Sequence, residues 1–71
     1  MRDFRTIITV LKEYLANGRS VKIYDKDVAE ALSISQAQFA TIKKRNSTPY
    51  VQLLEFCKKE GISCCELFFE D

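Results

Sequence analysis

The chain has 71 residues, of which 46% are hydrophobic and 30% charged, a balance that is typical of one globular domain and argues against a disordered tail. Its formal net charge is only +1, so the sum of charges by itself does not indicate a nucleic-acid partner. The chain has no histidine, the commonest general base and metal ligand, and no apolar run approaches the roughly 18 residues of a membrane span. We therefore expect a cytoplasmic protein that is not an enzyme, with no metal, cofactor, small-molecule ligand or membrane partner.

The N-terminal part of the chain predicts one helix followed by a loop. Apolar residues recur at spacings of three and four over residues 3 to 16, and Asn17 and Gly18 follow as a C-terminal stop. The alternating pattern in residues 19 to 24 is too short for a strand and lacks a hairpin partner, so a loop is predicted there.

Two short helices are predicted next. Asp25 is a good N-cap for a second helix that stops near Ser33, and Ser35 can cap a third helix at about residues 36 to 45. A short turn would hold these two helices at a steep angle, so that the third helix presents a polar outer face to solvent. The apolar residues that we expect to pack between them as the helix-turn-helix core are Val28, Ala29, Leu32, Ile34, Phe39 and Ile42.

The remaining residues predict two more helices. Thr48 is expected to cap the fourth helix, with Pro49 in its first turn and Gly61 as its stop. Ser63 is expected to cap a short fifth helix, and Glu66 lies three residues further on, as in a capping box. The sequence thus predicts an all-α domain of five helices.

Three cysteines lie in this C-terminal part, and they are Cys57, Cys64 and Cys65. An odd number with two adjacent members fits neither a disulfide framework nor a zinc site, so reduced thiols are expected. Reactive-thiol chemistry at Cys64 or Cys65 is the alternative that this reasoning leaves open.

The charges are segregated along the chain. Residues 1 to 24 and 35 to 50 are net basic, whereas residues 25 to 34 and 51 to 71 are net acidic. A nearly neutral protein can therefore carry a basic face, and DNA phosphates respond to the local field.

One segment of the sequence resembles a known DNA-binding motif. Residues 27 to 35, DVAEALSIS, followed by Phe39 and Ile42, are similar to the helix-turn-helix of phage repressors. Residues 43 to 50, KKRNSTPY, and 55 to 63, EFCKKEGIS, resemble the bacteriophage CI-repressor helix-turn-helix family in particular. The two similarities together span residues 26 to 68, which is most of the chain.

The resemblance implies a compact lambda repressor-like fold and binding to double-stranded operator DNA as a homodimer in a bacterial or phage-infected cell. Residues 1–71 would then be a single helix-turn-helix DNA-binding domain, which a longer repressor could carry as its N-terminal domain.

The sequence departs from the family pattern at two positions. Ser33 stands where the family usually has glycine, and a serine with positive φ would carry a conformational cost. Asp25 stands where some phage repressors have a glutamine that contacts phosphate. A carboxylate would be repelled there, so that contact is not expected.

Residue roles on the third helix follow from the geometry of recognition helices, whose first turn faces base edges and whose flanks face the DNA backbone. Gln36 is the strongest candidate reader, because its amide can pair with adenine N6 and N7. The expected base-reading residues are Gln36, Ala37, Thr41 and Lys44. The expected phosphate contacts are Ser35, Lys43, Arg45, Asn46 and Ser47.

Two simpler interpretations compete with DNA binding. The basic residues 43 to 45 could merely complement the dipole of a solvated helix end. The apolar C-terminal segment Leu67, Phe68 and Phe69 could be the working surface of a protein-interaction module, whereas in a DNA-binding protein the same segment would serve dimerisation.

Overall fold

The computed structural model describes residues 1–69, and within this part the chain forms five α-helices and no strand. The helices are α1 (Phe4–Ala16), α2 (Asp25–Ala31), α3 (Gln36–Arg45), α4 (Tyr50–Glu60) and α5 (Cys64–Phe68). The prediction of an all-α, five-helix domain is confirmed. None of these helices is long and apolar enough to cross a membrane.

Both ends of α1 lie where the sequence predicts them. The side chain of Asp3 caps the helix, because its Oδ1 accepts a hydrogen bond from the backbone N–H of Thr6 at 2.9 Å. Asn17 ends the helix in the left-handed conformation, with φ 51°, and Gly18 continues at φ 76°.

The start of α2 corrects the prediction for Asp25. Tyr24 is the N-cap, and Asp25 is the first residue of the helix. The residue whose side chain caps this end is Asp27, since its Oδ2 accepts the backbone N–H of Tyr24 at 2.9 Å. The carboxylate of Asp25 is thereby available for contacts outside its own helix.

The starts of α4 and α5 also differ from the expected caps. Pro49, expected in the first turn, is itself the N-cap of α4, and Thr48 lies outside the helix. Ser63 occupies the N-cap position of α5, but its side chain makes no capping hydrogen bond, so the predicted capping box with Glu66 is not formed. The predicted stop at Gly61 is confirmed, with φ 70°.

The turn between α2 and α3 is closed by two backbone hydrogen bonds. Ser33 donates its N–H to the carbonyl of Glu30, and Ile34 donates to that of Ala29, each at 3.0 Å. This bonding pattern is the Schellman motif, which requires a left-handed residue, and Ser33 adopts φ 59°. The strain that the sequence suggested for this serine is therefore present in the fold.

The six residues expected to pack between α2 and α3 all lie in or against the hydrophobic core. Within it Val28, Ala29, Leu32 and Phe39 are buried, and Ile34 and Ile42 are partly buried against the same core. The other members of the core come from α1, α4 and α5, and they are Phe4, Ile7, Ile8, Leu11, Leu53, Phe56, Cys57, Leu67 and Phe68.

The burial of α5 corrects the predicted dimerisation surface. Leu67 and Phe68 are only 2% and 6% exposed, because α5 packs against α1 and turns these side chains into the core. Of the three expected residues, Phe69 alone is exposed. Leu67 and Phe68 thus stabilise the monomer.

The cysteines are free thiols in different environments. Cys57 is in the core, Cys64 is partly buried and Cys65 is exposed. Burial, together with a hydrogen bond to Cys64, raises the pKa of the Cys57 thiol to about 11. Cys57 is therefore protonated at neutral pH and acts as a small apolar core residue.

Candidate nucleic-acid interface

The third helix is anchored by one face and exposed on the other. Phe39 is buried, and its ring lies edge to face with that of Phe4 at a centroid distance of 5.8 Å. The helix begins at Ser35, whose Oγ accepts the backbone N–H of Gln38 at 3.1 Å, which confirms the predicted cap. These contacts fix the position of α3 and thereby the positions of its exposed residues.

All four expected base-reading residues are exposed, and they are Gln36, Ala37, Thr41 and Lys44. Three of them, Ala37, Thr41 and Lys44, follow one another at spacings of four and three, so they lie along one face of the helix. The hydroxyl of Thr41 donates to the carbonyl of Ala37 at 3.0 Å. Because that donor is already used, the groups that Thr41 can offer to a base are its methyl and its oxygen lone pairs.

Lys43 differs from the expected free phosphate contact. Its Nζ lies 2.6 Å from Oδ2 of Asp25, so it forms an ion pair with the first residue of α2. A DNA phosphate would have to compete with this carboxylate for the ammonium group.

Asn46 likewise has a structural role that the sequence did not reveal. It ends α3 at φ 52°, its Nδ2 donates to Oδ2 of Asp3 at 3.3 Å, and its Oδ1 accepts the backbone N–H of Arg5 at 3.4 Å. The side chain thus ties the end of α3 to the start of α1. Arg45 and Ser47, the other expected phosphate contacts in this segment, are exposed.

A concave groove of about 400 Å³ lies beside α3, between the starts of α1 and α2. The residues that line it are Arg5, Asp25, Lys26, Gln36, Phe39, Ala40, Lys43 and Lys44. Four of these side chains are cationic and one is anionic, and Phe39 and Ala40 contribute apolar surface. The groove therefore combines a local excess of positive charge with the amide of Gln36, which suits a phosphodiester next to a base edge.

Sequence reasoning missed Arg5 and Lys26 as members of this site. Arg5 reaches α3 through a hydrogen bond from its Nη2 to the carbonyl of Lys44 at 3.4 Å. A signal for Arg5 was available in the basic balance of residues 1 to 24. No such signal existed for Lys26, which lies in a net acidic segment and joins the groove only through the packing of α2 against α3.

Asp25 forms ion pairs with two lysines from neighbouring helices. Its Oδ1 lies 2.7 Å from Nζ of Lys12, and its Oδ2 contacts Lys43, so one carboxylate links α1, α2 and α3. The hydrogen bonds from these two lysines hold the pKa of Asp25 below its ordinary value. Asp25 is therefore ionised at neutral pH.

Comparisons with known proteins do not assign the chain to a family. No protein-family model matches the chain, and neither the curated proteins nor the solved structures show a significant similarity to it.

Proposed function

We propose that the protein is a sequence-specific DNA-binding transcriptional regulator, a phage or prophage repressor of the CI type, that places α3 in the major groove of its operator. The observation that carries the proposal is the arrangement of this helix. Phe39 fixes one side in the core, and Ala37, Thr41 and Lys44 lie exposed on the opposite side. Gln36 is exposed in the first turn, at the edge of the adjoining groove. The proposed function is binding without catalysis.

The charge around α3 supports the same conclusion. Arg5, Lys26 and Lys44 line the adjoining groove and form no ion pair within residues 1–69, and Arg45 is exposed at the end of the helix. A protein of net charge +1 thus presents a basic surface beside its recognition helix, as phosphate binding requires.

We also propose that the protein binds DNA as a homodimer through an apolar surface on α4. Tyr50, Val51 and Leu54 are 47%, 64% and 47% exposed and share one helix face. Phe69, 50% exposed, follows Phe68, whose ring contacts Tyr50 at a centroid distance of 5.8 Å. This set replaces the buried pair Leu67 and Phe68 as the surface available to a second copy.

The proposal is tested by titrating fluorescently labelled duplexes with the protein at several salt concentrations. The duplexes include palindromes from the neighbourhood of the gene and shuffled controls. We expect one palindrome to bind much more tightly than the shuffled sequences, with affinity falling as salt rises. Absence of binding even at low salt would reject the proposal and favour the protein-interaction module.

A substitution on α3 tests base reading directly. Gln36→Ala should weaken binding to the preferred duplex by about 1–3 kcal/mol and relax specificity at one base position, because the amide pairs with a base edge. Gln38→Ala is the matched control, since Gln38 contributes only its backbone N–H to the cap of α3. Equal effects of the two substitutions would contradict the role of Gln36.

A further inference from the structure

Among residues 1–69, Asp25 is the one acidic residue that lines the basic groove beside α3. We propose that its carboxylate is an intramolecular competitor for the DNA phosphodiester: it holds the ammonium group of Lys43 and so lowers the affinity of the groove for the DNA backbone. This inference rests on the proposed DNA-binding function and assigns to Asp25 the regulation of that same site.

The geometry places the competing groups where a ligand would meet them. The side chains of Asp25 and Lys43 are 39% and 40% exposed, so the ion pair is at the surface of the groove. A phosphate oxygen that approaches Lys43 must displace a carboxylate oxygen held at 2.6 Å or remain beside it and be repelled. In both cases the carboxylate makes phosphate binding less favourable. A neutral residue at position 25 would not impose this cost.

Lys12 helps to keep the carboxylate of Asp25 in place beside Lys43. It contacts the other carboxylate oxygen at 2.7 Å and approaches from α1, so Asp25 is held between two helices and cannot rotate freely out of the groove. Lys12 and Lys43 also lower the pKa of Asp25, so its carboxylate carries a full negative charge at neutral pH.

The other cations of the groove are in a different position. Arg5, Lys26 and Lys44 form no ion pair within residues 1–69, so a phosphate need not displace a carboxylate to reach them. Lys43 differs from them because it is already paired, and Asp25 determines whether Lys43 contributes to DNA binding.

The test compares Asp25→Asn with Asp27→Asn on a duplex of random sequence. Asp27 is the matched control because it lies on the same helix and loses the same charge, yet it does not line the groove, and asparagine can still accept the Tyr24 cap bond. Asp25→Asn should tighten binding about threefold to sixfold, since one charge at a few ångströms is removed. Its log–log salt slope should steepen by about one unit, as expected for one additional phosphate contact. Asp27→Asn should stay closer to the wild type, and equal effects of the two variants would overturn the proposal.

A double-mutant cycle separates masking from a general change in charge. Lys43→Gln should weaken DNA binding little in the wild-type background and several-fold in the Asp25→Asn background, because only there is Lys43 free. The same loss in both backgrounds would overturn the proposal. Thermal melts of every variant establish that the domain is folded at the assay temperature.

A wild type that binds no duplex would reject the proposed function, and the inference is then decided with inorganic phosphate. Its binding is followed through the NMR signals of the Lys26 and Gln36 backbone amides. Asp25→Asn should saturate at a severalfold lower phosphate concentration than Asp27→Asn. Equal phosphate affinity in the two variants would overturn the inference independently of DNA.

Discussion

At the scale of single residues, the position of α3 depends on a strained serine. Ser33 has φ 59°, and its conformation permits the two backbone hydrogen bonds that close the turn. A left-handed conformation costs a residue with a Cβ about 1–2 kcal/mol, a cost that glycine avoids. The domain therefore gives up stability at the turn that orients α3, the proposed recognition helix.

Ser33→Gly should stabilise the domain by about 0.5–1 kcal/mol, because relief of the left-handed strain exceeds the added entropy of the unfolded chain. The measurement is urea unfolding followed by circular dichroism. Gly18→Ala is the converse control: Gly18 has φ 76° with open space around an added Cβ, so only the conformational cost of about 1 kcal/mol appears. If Ser33→Gly were less stable than the wild type, the left-handed conformation of Ser33 would not be lowering the free energy of unfolding.

At the scale of helices, α2 is short, and polar contacts at its first turn supplement the burial of Val28 and Ala29. It has seven residues, too few for a stable isolated helix, and Asp25 links it to α1 and α3. Lys22 and Lys26 lie 5.3 Å and 5.9 Å from the centroid of the Tyr24 ring and flank the same turn. Ionised groups thus add to the apolar packing that holds α2 against α1 and α3.

These contacts predict acid lability. Hydrogen bonds lower the pKa of Asp25, and bonds from Thr6 lower that of Asp3, in the folded state. A lowered folded pKa contributes stability above the unfolded pKa, near 4, and that contribution is lost as pH falls through the folded value. The free energy of unfolding should accordingly be level from pH 7 to about pH 5 and decline below about pH 4.

Urea unfolding at pH 7, 5 and 3 measures this dependence. Asp25→Asn removes one of the titrating groups, so its decline between pH 5 and pH 3 should be smaller than that of the wild type. An unchanged decline in this variant would show that the contacts of Asp25 with the lysines do not contribute to acid lability.

At the scale of the whole molecule, size and surface both fit a two-fold dimer on DNA. The domain measures 27 × 27 × 20 Å, so two adjacent copies can place their α3 helices one DNA turn apart, roughly 34 Å. The exposed apolar residues of α4 lie outside the core and are available to the second copy. The dimer is therefore the proposed unit of operator binding.

Val51→Glu should yield a monomer and weaken binding to a palindromic duplex, because it places a charge in the proposed interface. Val51 is 64% exposed, so the fold itself should be little affected. Val21→Glu is the matched control, since Val21 is an exposed valine in the loop after α1. Light scattering at several protein concentrations gives the oligomeric state, and dimers that persist in Val51→Glu would place the interface elsewhere.

The helices and the buried residues of α2 and α3 were predictable because their signals are local. Helical spacing of apolar residues predicted α1 and α3 closely, and the left-handed stops at Asn17 and Gly61 were readable from residue type. Helix starts were less predictable, because Asp25 and Asp27 are both good caps and only the actual backbone path selects between them.

The sequence by itself determined the all-α class, the five helices and the exposed residues of α3, since each depends on spacing within one helix. Tertiary structure alone decided which charges meet. Arg5, Asp25 and Lys43 are far apart in the chain, and their convergence in one groove follows from how α1, α2 and α3 pack. It also turned Leu67 and Phe68 inward, because a short terminal helix can bury either face until its neighbours are in place. Composition cannot encode these outcomes, since they depend on contacts between helices.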